Sequence, residues 1–148
     1  MPAGSEVTLP RTWRPFGVRM AGTVLGIGLL VVVVFLWVGF DAETRAKFTT
    51  FQRGTVIAIG LLGFAVWFAL VRSRVVAEAD RLVVVNGYKR REFDYPQVVG
   101  VHLPPGAPWV TLDLADGSTV SAMGIQGTDG DRARRAGREL RAVVDAKS

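Results

Sequence analysis

Two long uncharged stretches dominate the first half of the chain, and short alternating runs replace them in the second half. Ala21–Phe40 reads AGTVLGIGLLVVVVFLWVGF without a charge, and Gly54–Val71 reads GTVIAIGLLGFAVWFALV between Arg53 and Arg72. As helices they cover about 30 Å and about 27 Å, the thickness of a bilayer's hydrocarbon core. The valine run Val31–Val34 is poor helix material in water. In lipid an unpaired backbone amide costs far more than that deficit in propensity. The first stretch is too long for a signal peptide's apolar region, and Gly39-Phe40-Asp41-Ala42-Glu43 offers no A-x-A cleavage pattern. The expectation is therefore a membrane hairpin over 21–71, with spans 21–40 and 54–71, preceded by a cytosolic tail over 1–20.

Arginines flank both spans on the outer side. Arg11, Arg14 and Arg19 precede the first, and Arg72, Arg74 and Arg81 follow the second, whereas the connection holds Arg45, Lys47 and Arg53. With Lys89, Arg90 and Arg91 added to the far side, the positive-inside rule places both termini in the cytoplasm of a multi-pass plasma-membrane protein. Trp13, Phe16, Trp37, Phe40, Phe48, Phe51, Trp67 and Phe68 fall near span ends, as interfacial aromatics do. Gly22/Gly26, Gly54/Ala58 and Ala65/Ala69 are small-xxx-small pairs and mark candidate helix-packing positions within one hairpin or between copies. Neither span carries an ionisable residue, which argues against an ion pathway or proton relay.

From Arg72 the period changes to that of strands. Val75–Ala79, Arg81–Val85, Tyr88–Phe93, Gln97–Leu103, Trp109–Leu114 and Thr119–Met123 are separated by turn and breaker residues. Asn86-Gly87 predicts a type I′ hairpin. Across Asp116-Gly117 a three-residue loop, Asp116–Ser118, pairs Leu114 with Val120 and Leu112 with Ala122, keeping one apolar face. The chain closes with an amphipathic helix. Thr128 and Asp129 are its N-cap candidates, and Asp131 lies in its first turn. Ala133, Ala136, Gly137, Leu140, Val143 and Val144 share one side, and Arg134, Arg135, Arg138 and Arg141 share the other. The pairs Asp131–Arg135, Arg135–Glu139 and Arg141–Asp145 have ion-pair spacing, so the arginine face is expected to be a solvated surface.

Six antiparallel strands closed by one helix describe a bent sheet that needs the helix to complete its core. The stretches AEADRLVVVNGYKRREFDYPQVVGV, WVTLDLADGSTV and DGDRARRAGRELRAVV make residues 75–145 resemble the bacterial pleckstrin-homology (PH-like) domain of actinobacterial membrane proteins of the low molecular weight antigen type. The two preceding spans match that group's layout. Tyr95-Pro96 departs from it, since a proline–tryptophan pair is expected there. An OB-fold domain of membrane-anchored NfeD-like proteins is the competing reading, but its helix belongs between the third and fourth strands. The fold class expected is thus α+β with a membrane anchor: a two-helix hairpin, then a PH-like domain over 72–148.

Composition narrows the chemistry. There is no cysteine and a single histidine, His102, which excludes disulfides, thiol catalysis and histidine-rich metal sites. His102 reads as structural, Asp129-Gly130-Asp131 lacks the other EF-hand ligands, and Ser118, Thr119 and Ser121 have no general base. No cofactor and no enzyme activity are expected. Residues 72–148 carry twelve Lys/Arg against ten Asp/Glu, too balanced for a nucleic-acid binder. Lys89-Arg90-Arg91, with Arg72 and Arg74 at the membrane exit, form the candidate surface for anionic lipid headgroups or an unknown protein partner. The competing roles are topology for Arg72 and Arg74 and edge-strand protection for Lys89–Arg91. A structural subunit assembled through its spans is the alternative function.

Overall fold

The computed structural model describes residues 7–148; residues 1–6 of the expected tail lie outside the described residues. Helices α1 (Gly17–Gly39) and α3 (Thr50–Arg72) form an antiparallel hairpin, joined by the short α2 (Ala42–Lys47). Each long helix has 23 residues, about 34 Å, so both start four residues before the apolar runs. The cause for α3 is a capping box: Gln52 N–H donates to Thr49 Oγ1 at 3.1 Å, and Thr49 N–H donates to Gln52 Oε1 at 3.0 Å. At the far end of the hairpin Phe48 stacks against Phe40 and meets the edge of Trp37, whose ring also carries the Arg53 guanidinium at 5.2 Å. At the near end Trp67 Nε1–H donates to Thr23 Oγ1 at 3.0 Å. Neither helix has a buried residue, and Phe35 and Phe51 are 77% and 82% exposed. Both helices are long and apolar enough to cross a membrane.

The rest of the chain forms two antiparallel sheets. One has the order β1 (Arg11–Trp13), β2 (Arg74–Ala77), β3 (Arg81–Asn86), β4 (Lys89–Asp94); the other runs β5 (Val98–His102), β6 (Trp109–Leu114), β7 (Thr119–Gln126). β7 passes so close to β2 that a Cβ on Gly124 would lie 2.6 Å from the Arg74 and Val75 backbone. The two sheets meet at that corner. Helix α4 (Asp131–Lys147) closes the core with Ala133, Gly137, Leu140, Val143 and Val144 buried, against Val75, Leu82, Val84, Val98, Val110 and Leu112. This is the helix face the periodicity predicts, and the bent sheet with a terminal helix is the expected PH-like arrangement.

Four local expectations are corrected. The segment before α1 is more than a tail: Arg11–Trp13 pairs with Ala77–Val75, and Trp13, expected at the membrane interface, is buried in the domain core. Its Nε1–H donates to Glu139 at 3.0 Å. The β3–β4 hairpin pairs Asn86 with Lys89, so its central residues are Gly87 and Tyr88. Only Gly87 takes positive φ, at +60°, which fits a II′ turn and not I′. Asn86 is held outside the turn because its side-chain amide clamps β7, donating to Ser121 O and accepting from Met123 N–H at 3.0 Å.

In the β6–β7 hairpin Leu112 pairs with Val120 and Val110 with Ala122. The loop is Ala115–Gly117, one residue earlier than expected, because Gly117 supplies the left-handed position at φ +84°. The single apolar face survives this shift of two pairing positions. Finally, the N-cap of α4 is Gly130, not Thr128 or Asp129, so no side chain caps it; Asp129 is used elsewhere.

Candidate functional site

The end of α3 and the β3–β4 hairpin form one packed unit. Tyr88 O–H donates to the Ala65 carbonyl at 2.6 Å, and its ring lies 6.2 Å from that of Phe68. Gly87 must be glycine twice over: its φ is positive, and a Cβ would approach Ala69 Cβ at 3.3 Å. Its N–H donates to the buried Ser73 Oγ at 2.9 Å, while that hydroxyl donates to Ala69 O at 2.9 Å. Ala65 lies seven residues before Arg72, about 10 Å along the helix axis. The hairpin tip is therefore level with the last two turns of the apolar helix.

This placement sorts the basic triplet. Alternation along β4 sends Lys89 and Arg91 to one face and Arg90 to the other. Lys89 and Arg91 line a groove of about 370 Å³ with Ala69, Leu70, Val84 and Met123, at the junction of α3 with the domain. Arg90 instead binds Glu92, which also accepts from Arg81 at 2.9 Å. The Arg81 guanidinium, then Arg90, holds the Glu92 carboxyl below its ordinary range, and hydrogen bonding to Arg81 does the same for Asp80. Donating these hydrogen bonds to Asp80 and Glu92 in turn raises Arg81 further above its ordinary value. Arg90 is thus part of a surface ion network. Among the described residues no carboxylate lies within 4.0 Å of Arg72, Arg74, Lys89 or Arg91.

Of the candidate packing residues, Gly22 sits beside Trp67, where a Cβ would meet Cδ1 at 3.4 Å. A Cβ on Gly26 or Gly54 would meet nothing within 4 Å, and Ala58 is exposed, so these three face away from the partner helix.

A second junction went unforeseen. Both Asp129 carboxylate oxygens accept from the start of α1, from Phe16 N–H at 2.8 Å and Gly17 N–H at 2.7 Å. The domain therefore caps the first apolar helix, and a carboxylate at a helix N-terminus suits its dipole. Glu139, expected to pair with Arg135, binds Arg11 at 3.2 Å and Trp13. Asp131 binds Arg134 at 2.7 Å, and Arg141 donates to the Val101 carbonyl. His102 has a carboxylate partner across the β5–β6 ladder, Asp113 at 2.6 Å, and Gly100 leaves the space for it. Among the described residues no hydroxyl is hydrogen-bonded to that exposed pair. No cluster of three or more His, Asp or Glu suited to a metal occurs among the described residues.

A four-stranded and a three-stranded antiparallel sheet closed by a terminal helix, following a two-helix apolar hairpin, define a PH-like domain on a helical hairpin. Residues 72–142 match the family described as Bacterial PH domain. Uncharacterized proteins of Mycobacterium bovis and Mycobacterium tuberculosis are 28% identical over 142 residues, covering 94% of this chain and 88% of each relative. The similarity therefore extends over the hairpin as well as the domain. No solved structure matches.

Proposed function

We propose that the protein is a non-enzymatic PH module seated on the inner face of a bacterial plasma membrane, where it binds anionic phospholipid headgroups. Lys89 and Arg91 hold the phosphate, with Arg72 and Arg74 adding to the local positive potential. The observation that carries this reading is the groove: its two cations lack carboxylate partners and open beside the last turns of an apolar helix. Each Lys or Arg close to an anionic leaflet contributes about 1 kcal/mol, and the covalent anchor makes even a weak site effective. The arginine distribution around the spans supports a cytoplasmic domain.

The test uses the full chain, because a fragment starting after α3 would lose Trp13 and β1 from the core. The protein is reconstituted in nanodiscs of equal phosphatidylglycerol and phosphatidylcholine, and lipids retained on release are counted by native mass spectrometry. Preferential phosphatidylglycerol retention that falls in K89Q/R91Q supports the reading. Equal retention of both lipids by the unmodified protein rejects it and directs the search to a protein partner.

The outward-facing Gly26, Gly54 and Ala58 favour a second reading, a structural subunit joined to other helices in the membrane. Replacing these three by leucine would break such an assembly in cross-linking experiments and leave lipid retention unchanged.

A further inference from the structure

We propose a second anionic-lipid site, formed by Arg14, Arg132 and Arg135 where the start of α1 meets the start of α4. These side chains line a groove of about 330 Å³ with Trp13, Ala136 and Glu139, and it shares no residue with the Lys89/Arg91 groove. The inference rests on the reading that α1 and α3 span a membrane, but not on lipid binding at Lys89 and Arg91.

Spacing alone assigns the α4 arginines to local ion pairs, and the folded chain spends the carboxylates differently. Asp129 has both oxygens on the Phe16 and Gly17 amides. Glu139 is taken by Arg11 and the Trp13 indole, and Asp131 by Arg134. Among the described residues, Arg14, Arg132 and Arg135 are left with no carboxylate within 4.0 Å. Four arginines (Arg11 with these three) against the two carboxylates of Asp129 and Glu139 leave the groove a formal charge of +2, which favours an anion there.

Position identifies the anion. The Asp129 cap fixes this groove level with the first turn of α1, one helical turn before the apolar segment begins at Ala21. The Arg132 guanidinium lies 4.4 Å from the centre of the Phe16 ring, and that ring is half exposed. An aromatic ring at the bilayer boundary beside a cluster of guanidinium groups matches a molecule that is apolar on one side and phosphorylated on the other. Guanidinium forks fit phosphate oxygens in pairs, and the positive end of the α1 dipole adds to the attraction. The occupant is an anionic phospholipid of the surrounding leaflet. Together the two grooves would hold the domain against the bilayer at the foot of each membrane helix.

The experiment compares full-length variants in the same phosphatidylglycerol/phosphatidylcholine nanodiscs. R132Q/R135Q is expected to lower the preference for phosphatidylglycerol about five-fold or more, the effect of removing one to two interfacial arginines. R134Q/R138Q removes equal charge from exposed α4 positions outside the groove and is expected to leave the preference intact. An unchanged preference in R132Q/R135Q overturns the site, and so does an equal fall in R134Q/R138Q, which would reveal a net-charge effect only. A fall confined to K89Q/R91Q overturns this site and leaves the first standing. A fall confined to R132Q/R135Q supports this site and rejects the first.

Discussion

Asp129→Ala separates two uses of one carboxylate, as a conventional cap of its own helix or as a cap on the first apolar helix, more than a hundred residues away. The side chain accepts from Phe16 N–H at 2.8 Å and Gly17 N–H at 2.7 Å, and a Cβ on Gly17 would lie only 2.8 Å from Asp129 Oδ1. Loss of an N-cap costs about 0.5–2 kcal/mol, and a hydrogen bond to a charged group is worth about 1.5–3 kcal/mol. Phe16 is half exposed, so water replaces part of what is lost, and about 1–2 kcal/mol is expected. That corresponds to amide exchange about five- to thirty-fold faster at the start of α1. The assay is hydrogen–deuterium exchange of the full chain in nanodiscs, read on peptides covering 14–20 and 131–140. Acceleration in the first peptide with the second unchanged is the predicted result. Acceleration confined to the second would mean that Asp129 caps α4, and the junction would be wrong.

Gly124→Ala forces a Cβ to within 2.6 Å of the Arg74 backbone; overpacking of this kind costs about 1–3 kcal/mol, visible as a lowered thermal midpoint of the domain. Glu92 is held below its ordinary pKa, chiefly by Arg81 and then Arg90. A depressed folded-state pKa stabilises the fold above the unfolded carboxyl's pKa, and the contribution disappears as pH falls through the folded value. Glu92→Gln is therefore expected to flatten the acid limb of the stability–pH profile measured by denaturant unfolding, with no change near pH 7 in its slope. Trp13→Ala removes a buried indole and the Glu139 hydrogen bond, so about 3–5 kcal/mol should be lost, measured in the same unfolding series.

Much of this architecture can be read from local periodicity. The apolar runs, the six strands from β2 to β7 and the buried face of α4 each repeat at the spacing of their own element. What escapes that reading depends on distant partners. Arg11-Thr12-Trp13 lies between Pro10 and Pro15, too short to show alternation, and it becomes a strand only because Val75–Ala77 presents an open edge. Asn86-Gly87 signals a turn, but the β7 backbone claims the asparagine side chain and moves the turn one residue on. Asp129 has the right position to cap α4, yet two backbone N–H groups at the start of α1 take it.

The candidate surface shows the same division. The basic triplet is plain in sequence, while its separation into Lys89 and Arg91 on the groove and Arg90 in an ion network follows from β4 pairing. The groove at Arg14, Arg132 and Arg135 joins segments far apart in the chain, and no local pattern announces it.

The seating of the β3–β4 hairpin at the bilayer surface is the claim on which the proposed function depends. The chain has no native cysteine, so single spin labels can be introduced at Tyr88→Cys on the hairpin tip and at Val99→Cys on β5, both exposed positions. In full-length protein reconstituted into phosphatidylglycerol/phosphatidylcholine vesicles, collision with dissolved oxygen is compared with collision with a water-soluble nickel chelate. The predicted result is a label at 88 that favours oxygen, as in the interfacial region, and a label at 99 that favours nickel. Equal access of the nickel chelate to both positions would place the hairpin in bulk water and contradict the account.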